Sequence, residues 1–338
     1  MTATAAPTVR ATAPGRVNLI GDHTDVADGL VMPMAINLAT TVTGRRGGDV
    51  VRLTSTDADG TVELPLHVED PATSAFGWGR YVAAVVAEVA PTEGLIGNVT
   101  TTLPVGAGLS SSAALEVAVA LALGFEGTAL ELAELCRRAE HRAVGVPCGI
   151  MDQLAVAAGV AGNLLLIDCA TNHIEPVPLP EDVEVRVVHS GQERRLSESA
   201  YTTRTAEVRA VEEIVGPLRL ITDTSALAGL DATLGRRARH VVTENARVRE
   251  FAEALIAGDL DTVGEVMAAS HRSLRDDYEV STPLLEELVV RLASTPGVIG
   301  VRLTGAGFGG CVVALTEPGA VEEGWSVRPS AGASVTTD

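Results

Sequence analysis

Three segments of the 338-residue chain bring chemically capable side chains close together. The first, Gly106-Ala107-Gly108-Leu109-Ser110-Ser111-Ser112, places two glycines and three hydroxyls before an apolar helical stretch. Glycines let the backbone approach a ligand, and a helix start offers free N–H groups at a positive dipole end. Such a loop suits phosphate, and its hydroxyls would complete a Mg²⁺ shell otherwise made of water and phosphate oxygen. A serine-capped helix would satisfy the same amides, and at this level both readings stand.

The second segment is Cys148-Gly149-Ile150-Met151-Asp152-Gln153, with Glu140 upstream. Glu140 shares a helical stripe with Ala129, Leu132, Ala133, Cys136 and Ala143, so a carboxylate interrupts an apolar face. A half-buried metal site would explain it; so would a surface pair with Arg137. Asp152 lies in a first helical turn, where it favours the dipole or acts as a general base. The third segment, Gly15 to Asp25, packs Asp22, His23 and Asp25 into one loop with Arg16 nearby. Converging acceptors and donors of this kind suit adjacent sugar hydroxyls. A metal cluster is the rival reading, but no further His or Cys stands at ligand spacing.

Gly305-Ala306-Gly307-Phe308-Gly309-Gly310 formally matches a dinucleotide fingerprint. That fingerprint needs a following helix, whereas Cys311 to Leu315 reads as a short strand, so a glycine-rich turn between strands is expected.

The elements positioning these segments follow from periodicity and turn residues. Strands are expected at 9–12, 50–54, 97–103, 163–169, 183–189, 298–304 and 311–315. Helices are expected at 77–89, 110–123, 129–143, 196–214, 233–257 and 281–294. The three prolines between Thr171 and Asp182 mark the expected domain boundary, giving domains of 1–180 and 181–338.

Composition removes whole function classes. All 25 basic residues are Arg. Walker-loop enzymes and protein kinases both need a phosphate-binding Lys and are excluded. A formal charge of −19 argues against nucleic acid. No apolar run is long enough for a bilayer, and Met1 to Arg10 has no signal-peptide core, so no membrane partner and a cytoplasmic location are expected. Cys136, Cys148, Cys169 and Cys311 lack CxxC spacing and are expected to be buried thiols.

In this order and spacing, the segments resemble the galactokinases, within the GHMP small-molecule kinase family that also holds homoserine, mevalonate and phosphomevalonate kinases. Gly15 to Ile36, Leu103 to Leu115 and Leu303 to Leu315 resemble its three motifs. Ala139-Glu140 with Gly145 to Gln153, and Ser197 to Arg204, match as well. The resemblance implies an α+β two-domain GHMP kinase fold. Its N-terminal α/β domain would carry a left-handed βαβ unit and its C-terminal domain would be ferredoxin-like. It implies transfer of the ATP γ-phosphoryl to the C1 hydroxyl of D-galactose, the first kinase step of galactose catabolism, with Mg²⁺ and as a monomer or weak homodimer.

Carried over by position, Asp152 and Arg16 are the catalytic pair. Asp22, His23, Thr24, Asp25, Gly149, Asp152 and Tyr201 fall at the sugar contacts. Ser55 and Gly106, Ala107, Gly108, Leu109, Ser110, Ser111 and Ser112 fall at the ATP contacts, and Ser111 and Glu140 at the Mg²⁺ ligands. Three departures stand out. Asp22 replaces the usual Glu, Val26 replaces the usual Tyr, and the helix before the last strand is nearly absent between Glu317 and Glu323. The first two point to a related kinase for a sugar altered at C6 or C2 as the alternative. A non-catalytic galactose and ATP sensor is opposed by the intact Ser111-Ser112-Ala113 run.

Overall fold

The computed structural model describes residues 8–104, 106–145, 148–192 and 197–338. The leader expectation at Met1 to Pro7, and Val146 and Pro147 of the second segment, lie outside the described residues.

The N-terminal half begins with β1 (Thr8–Asn18), β2 (Leu30–Val31), β3 (Pro33–Arg46), β4 (Val50–Ser55) and β5 (Thr61–Pro65). Then come α1 (Pro71–Ser74), α2 (Gly79–Val89), β6 (Leu95–Thr101), α3 (Ser111–Ala122), α4 (Ala129–Val144), α5 (Met151–Ala158), β7 (Asn163–Asp168) and β8 (His173–Pro178). The C-terminal half runs β9 (Glu184–His189), α6 (Ser197–Val215), α7 (Ala232–Ala257), α8 (Leu260–Asp276), α9 (Pro283–Ala293), β10 (Val298–Thr304) and β11 (Cys311–Thr316). It closes with β12 (Trp325–Val327) and β13 (Ser334–Thr337).

Among the described residues, the strands form sheets ordered β13-β1-β3-β6-β4-β5, β10-β11-β9-β12 and β2-β7-β8. β4 and β6 run parallel across a connection that holds α1 and α2. The sheet of β9 to β12 is antiparallel throughout, as an α+β C-terminal half requires. α3 is buried nearly all round and apolar except for its two leading serines and Glu116, which is itself fully buried. α4 starts in a capping box in which Thr128 and Glu131 satisfy each other's backbone N–H.

The structure holds elements that the sequence reading did not expect, β2 and β5 among them. β3 was not among the expected strands: it lies between β1 and β6, and its first four residues are all buried, which erases the alternation of a half-exposed strand. α8 was also absent from the expected set, separated from α7 only by Gly258 and by Asp259, whose side chain caps Thr262 N–H. The proline-rich segment expected at a boundary contains β8, paired antiparallel with β7. Pro176 and Pro178 are tolerated there because β8 is an edge strand, where a missing N–H breaks no ladder. The chain from Glu317 to Gly324 forms no helix; after β12 it returns to the N-terminal sheet, where β13 pairs with β1. The glycine-rich turn after β10 leads straight into strand β11, as expected.

Candidate functional site

β1 carries a bulge between Pro14 and Arg16. A Cβ on Gly15 would lie 2.4 Å from Leu103 and 2.6 Å from the Leu109 carbonyl, so only glycine fits. The bulge re-aims Arg16 away from the ladder. Its backbone N–H donates to Leu109 O at 3.1 Å and its Nη1 to Gly108 O at 2.7 Å. Its Nε and Nη2 donate to the two carboxylate oxygens of Asp152 at 2.8 and 2.5 Å. The first strand, the glycine loop and the start of α5 therefore meet at one guanidinium.

Ser110 takes a left-handed conformation (φ 57°) and its hydroxyl makes no cap on α3. It donates to Asp152 Oδ2 at 2.5 Å instead. The capped-helix alternative is thus not what this loop adopts, and the first-turn amides of α3 keep no side-chain cap among the described residues. Ala107 and Leu109 are buried, Gly106 is exposed, and Ser111 and Ser112 line a cavity.

Glu140 accepts hydrogen bonds from Ser112 Oγ at 3.0 Å, Gln153 Nε2 at 2.6 Å and Cys148 Sγ at 3.3 Å. Burial, and then the nearby Asp152, raise its pKa above the ordinary carboxylate value. Arg137, the alternative partner, lines a separate cavity. Of the two serines, Ser112 is the one that touches Glu140, while Ser111 opens on the second cavity described below.

The loop after β1 turns through Gly21 (φ 90°) and His23 (φ 67°) into a single 3-10 turn at Asp25–Ala27. Asp22 is buried; its Oδ1 accepts Gly305 N–H at 2.9 Å and its Oδ2 lies 2.7 Å from Arg302 Nη2. Burial raises its pKa and Arg302 opposes the rise. His23 is held well below the ordinary imidazole value, first by burial and then by His240 and Arg302, and is neutral. Burial, together with Asp152 and Asp22, pushes Asp25 up to about 7. Thr24 donates to the Leu30 carbonyl at 2.6 Å and ties the loop from within.

Arg16, Asp22, His23, Asp25, Gly149, Asp152 and Tyr201 line one cavity of about 240 Å³, with Glu140 and Tyr81 at its wall. Thr24 is not among its lining residues. Gly149 is required there: a Cβ would fall 2.0 Å from Asp25 Oδ2. A second, more apolar cavity of about 300 Å³ is lined by Ser55, Asp57, Trp78, Tyr81, Thr101, Ser111, Ser112 and Leu115. Tyr81 belongs to both cavities, so the two adjoin. Trp78, Tyr81, Asp57 and Thr101 were not singled out from sequence. One available signal was that Trp78 is one of only two tryptophans, placed just before a helix. Among the described residues, no group of three or more His, Cys, Asp or Glu is arranged to hold a metal ion.

Comparison with known proteins gives a consistent picture. Residues 2–46 match the galactokinase galactose-binding signature, residues 80–160 the GHMP kinases N terminal domain, and residues 251–332 the GHMP kinases C terminal domain. Galactokinase from Bos taurus is 43% identical over 94% of this chain and 86% of its own length. Galactokinase from Roseiflexus sp. (strain RS-1) is 44% identical over 94% and 85%. The structure of Lactococcus lactis galactokinase complexed with galactose superimposes with a TM-score of 0.89 at 31% identity, covering 97% of this chain and 95% of that one. With likeness at this level over nearly its whole length, the chain belongs to the galactokinase family of GHMP kinases.

Proposed function

We propose that this chain transfers the γ-phosphoryl of ATP to the C1 hydroxyl of D-galactose, giving α-D-galactose 1-phosphate and ADP. The sugar occupies the polar cavity and the nucleotide the apolar one. The observation that carries the reading is the Arg16–Asp152 pair, bound to the glycine loop on one side and facing the sugar cavity on the other.

Proton transfer falls to Asp152. Its Oδ2 already takes Arg16 Nη2 and Ser110 Oγ, while Oδ1 takes only Arg16 Nε. A carboxylate oxygen offers about two acceptor sites, so Oδ1 is the oxygen left to receive the C1 hydroxyl proton. Arg16 keeps that oxygen in place and puts fixed positive charge beside the transferring group. Neutral His23, Asp25, Gly149 and Tyr201 orient the sugar. Tyr81 closes the boundary between the cavities, and Trp78 offers an aromatic face to the nucleotide base.

Mg²⁺ would be held by Glu140, a buried hard-oxygen donor that accepts from Ser112 at the start of α3, together with the hydroxyl of Ser111, the residue before Ser112; one carboxylate and a hydroxyl leave room for water and phosphate oxygens. Bound there, the ion would neutralise charge developing on the phosphates. Asp152, Arg16, Ser110 and the α3 amides supply the remaining positioning.

An assay of ADP release over a panel of monosaccharides tests the function. Galactose should support the fastest turnover. ADP release equally fast without sugar, or faster with a sugar unrelated to galactose, would overturn it.

A further inference from the structure

Three buried side chains of the C-terminal half grip the loop that carries Asp22, His23 and Asp25, yet none lines the sugar cavity. On α7, Glu244 Oε1 accepts Gly21 N–H at 3.0 Å, and His240 Nε2 lies 3.0 Å from the Asp22 carbonyl. Beyond the end of α8, the Tyr278 ring packs between two imidazoles, 4.5 Å from His23 and 4.7 Å from His240. His240, Glu244 and Tyr278 are each 0% exposed.

The direction of the His240 contact with Asp22 follows from its acceptor. A carbonyl only accepts, so Nε2 must carry the hydrogen. Burial pushes the His240 pKa down to about 4, so the ring is neutral; Nδ1 lies 3.0 Å from Ser273 Oγ, whose hydroxyl also stands 3.0 Å from Asp277 Oδ2. The bond falls on the residue just before His23, whose left-handed φ of 67° is one that a residue with a Cβ seldom takes without support. The Tyr278 ring lies against the imidazole of that same residue, while its hydroxyl has no hydrogen-bond partner among the described residues.

The geometry points to His240 and Tyr278 as positioning residues for sugar recognition: a donated hydrogen bond at Asp22 O and a ring against His23 hold the sugar loop in its binding shape. The inference rests on the proposed role of that loop. It differs from a general packing role in predicting a selective effect on the sugar. The Tyr278 ring matters here and its hydroxyl does not.

The test measures KM for galactose, KM for ATP, kcat and melting temperature on the full chain. His240→Leu should raise KM for galactose by about tenfold, the scale of one buried hydrogen bond, with KM for ATP within about twofold. His240→Gln, whose amide reaches the Nε2 position, should recover most of the loss. Tyr278→Phe should leave KM for galactose unchanged within about twofold, while Tyr278→Leu should raise it. Should His240→Leu fail to fold, His240→Asn, whose amide stops short, carries the same expectation. Equal movement of both KM values, or a fall in melting temperature alone, would overturn the inference. An Asp25→Asn control separates the two layers. If it leaves KM for galactose unmoved, the loop is not the sugar site and the inference falls with that reading. If it moves KM while the His240 variants do not, the inference alone fails.

Discussion

Asp22 and Arg302 form a fully buried ion pair, Oδ2 to Nη2 2.7 Å apart, that joins the sugar loop to the strand before the glycine-rich turn. With Gly305 N–H on the other oxygen, the carboxylate is engaged by protein at both ends while still bordering the sugar cavity.

That engagement bears on specificity at C6. A charged hydrogen bond is worth roughly 1.5–3 kcal/mol, or one to two decades in selectivity. Because Asp22 is one methylene shorter than Glu and is held by Arg302 and Gly305, it should contribute little of this. We expect 6-deoxygalactose to be phosphorylated within about tenfold of galactose in kcat/KM, and Asp22→Glu to widen the gap. A preference for galactose above about a hundredfold in the unaltered chain would show that the contact is made.

Glu140 is the proposed carboxylate for Mg²⁺. Glu140→Ala should raise the Mg²⁺ concentration for half-maximal activity by about tenfold or more, since a hard cation loses its protein carboxylate. A lower melting temperature with unchanged Mg²⁺ dependence would assign the residue to structure alone, through Ser112, Gln153 and Cys148.

Asp25 gives a pH signature. Its folded pKa of about 7 stands above the ordinary 3.8, so the folded state holds this proton more tightly than the unfolded chain does. The resulting stability is fully present below about 3.8 and is lost as pH rises through about 7. Asp25→Asn removes the term. The melting temperature of the variant relative to the parent should therefore be higher at pH 8 than at pH 5. A difference that does not change with pH would show that water in the cavity relieves the burial.

Much of this site was legible in the sequence because its parts are local. Gly15 to Asp25, Gly106 to Ser112 and Cys148 to Gln153 each carry their chemistry within a dozen residues, and Arg16, Asp22, His23, Asp25, Cys148 and Asp152 meet around one cavity. The partners that fix these side chains were not legible, because they come from distant positions and look like ordinary helix or strand residues. Arg302 reads as one charge in an apolar strand, and His240 and Glu244 as polar positions on a long helix; only the fold brings them to Asp22 and Gly21. Ser110 was open to two readings in the sequence, a helix cap or a ligand contact. A serine before a helix ordinarily caps it, but the left-handed backbone turns this hydroxyl to Asp152. Among the elements, β3 was hidden by the loss of alternation in its four buried opening residues, and α8 by the two-residue turn that separates it from α7.

The central claim is that Asp152, held by Arg16, takes the sugar proton between two adjoining cavities. Kinetics and nucleotide binding of Asp152→Asn test it most directly. Asn keeps the size and one acceptor but not the negative charge. We predict ATP affinity within about threefold of the parent and kcat lower by about 10²–10⁴. A variant that turns galactose over at near the parent rate would contradict the account and remove Asp152 from the chemistry.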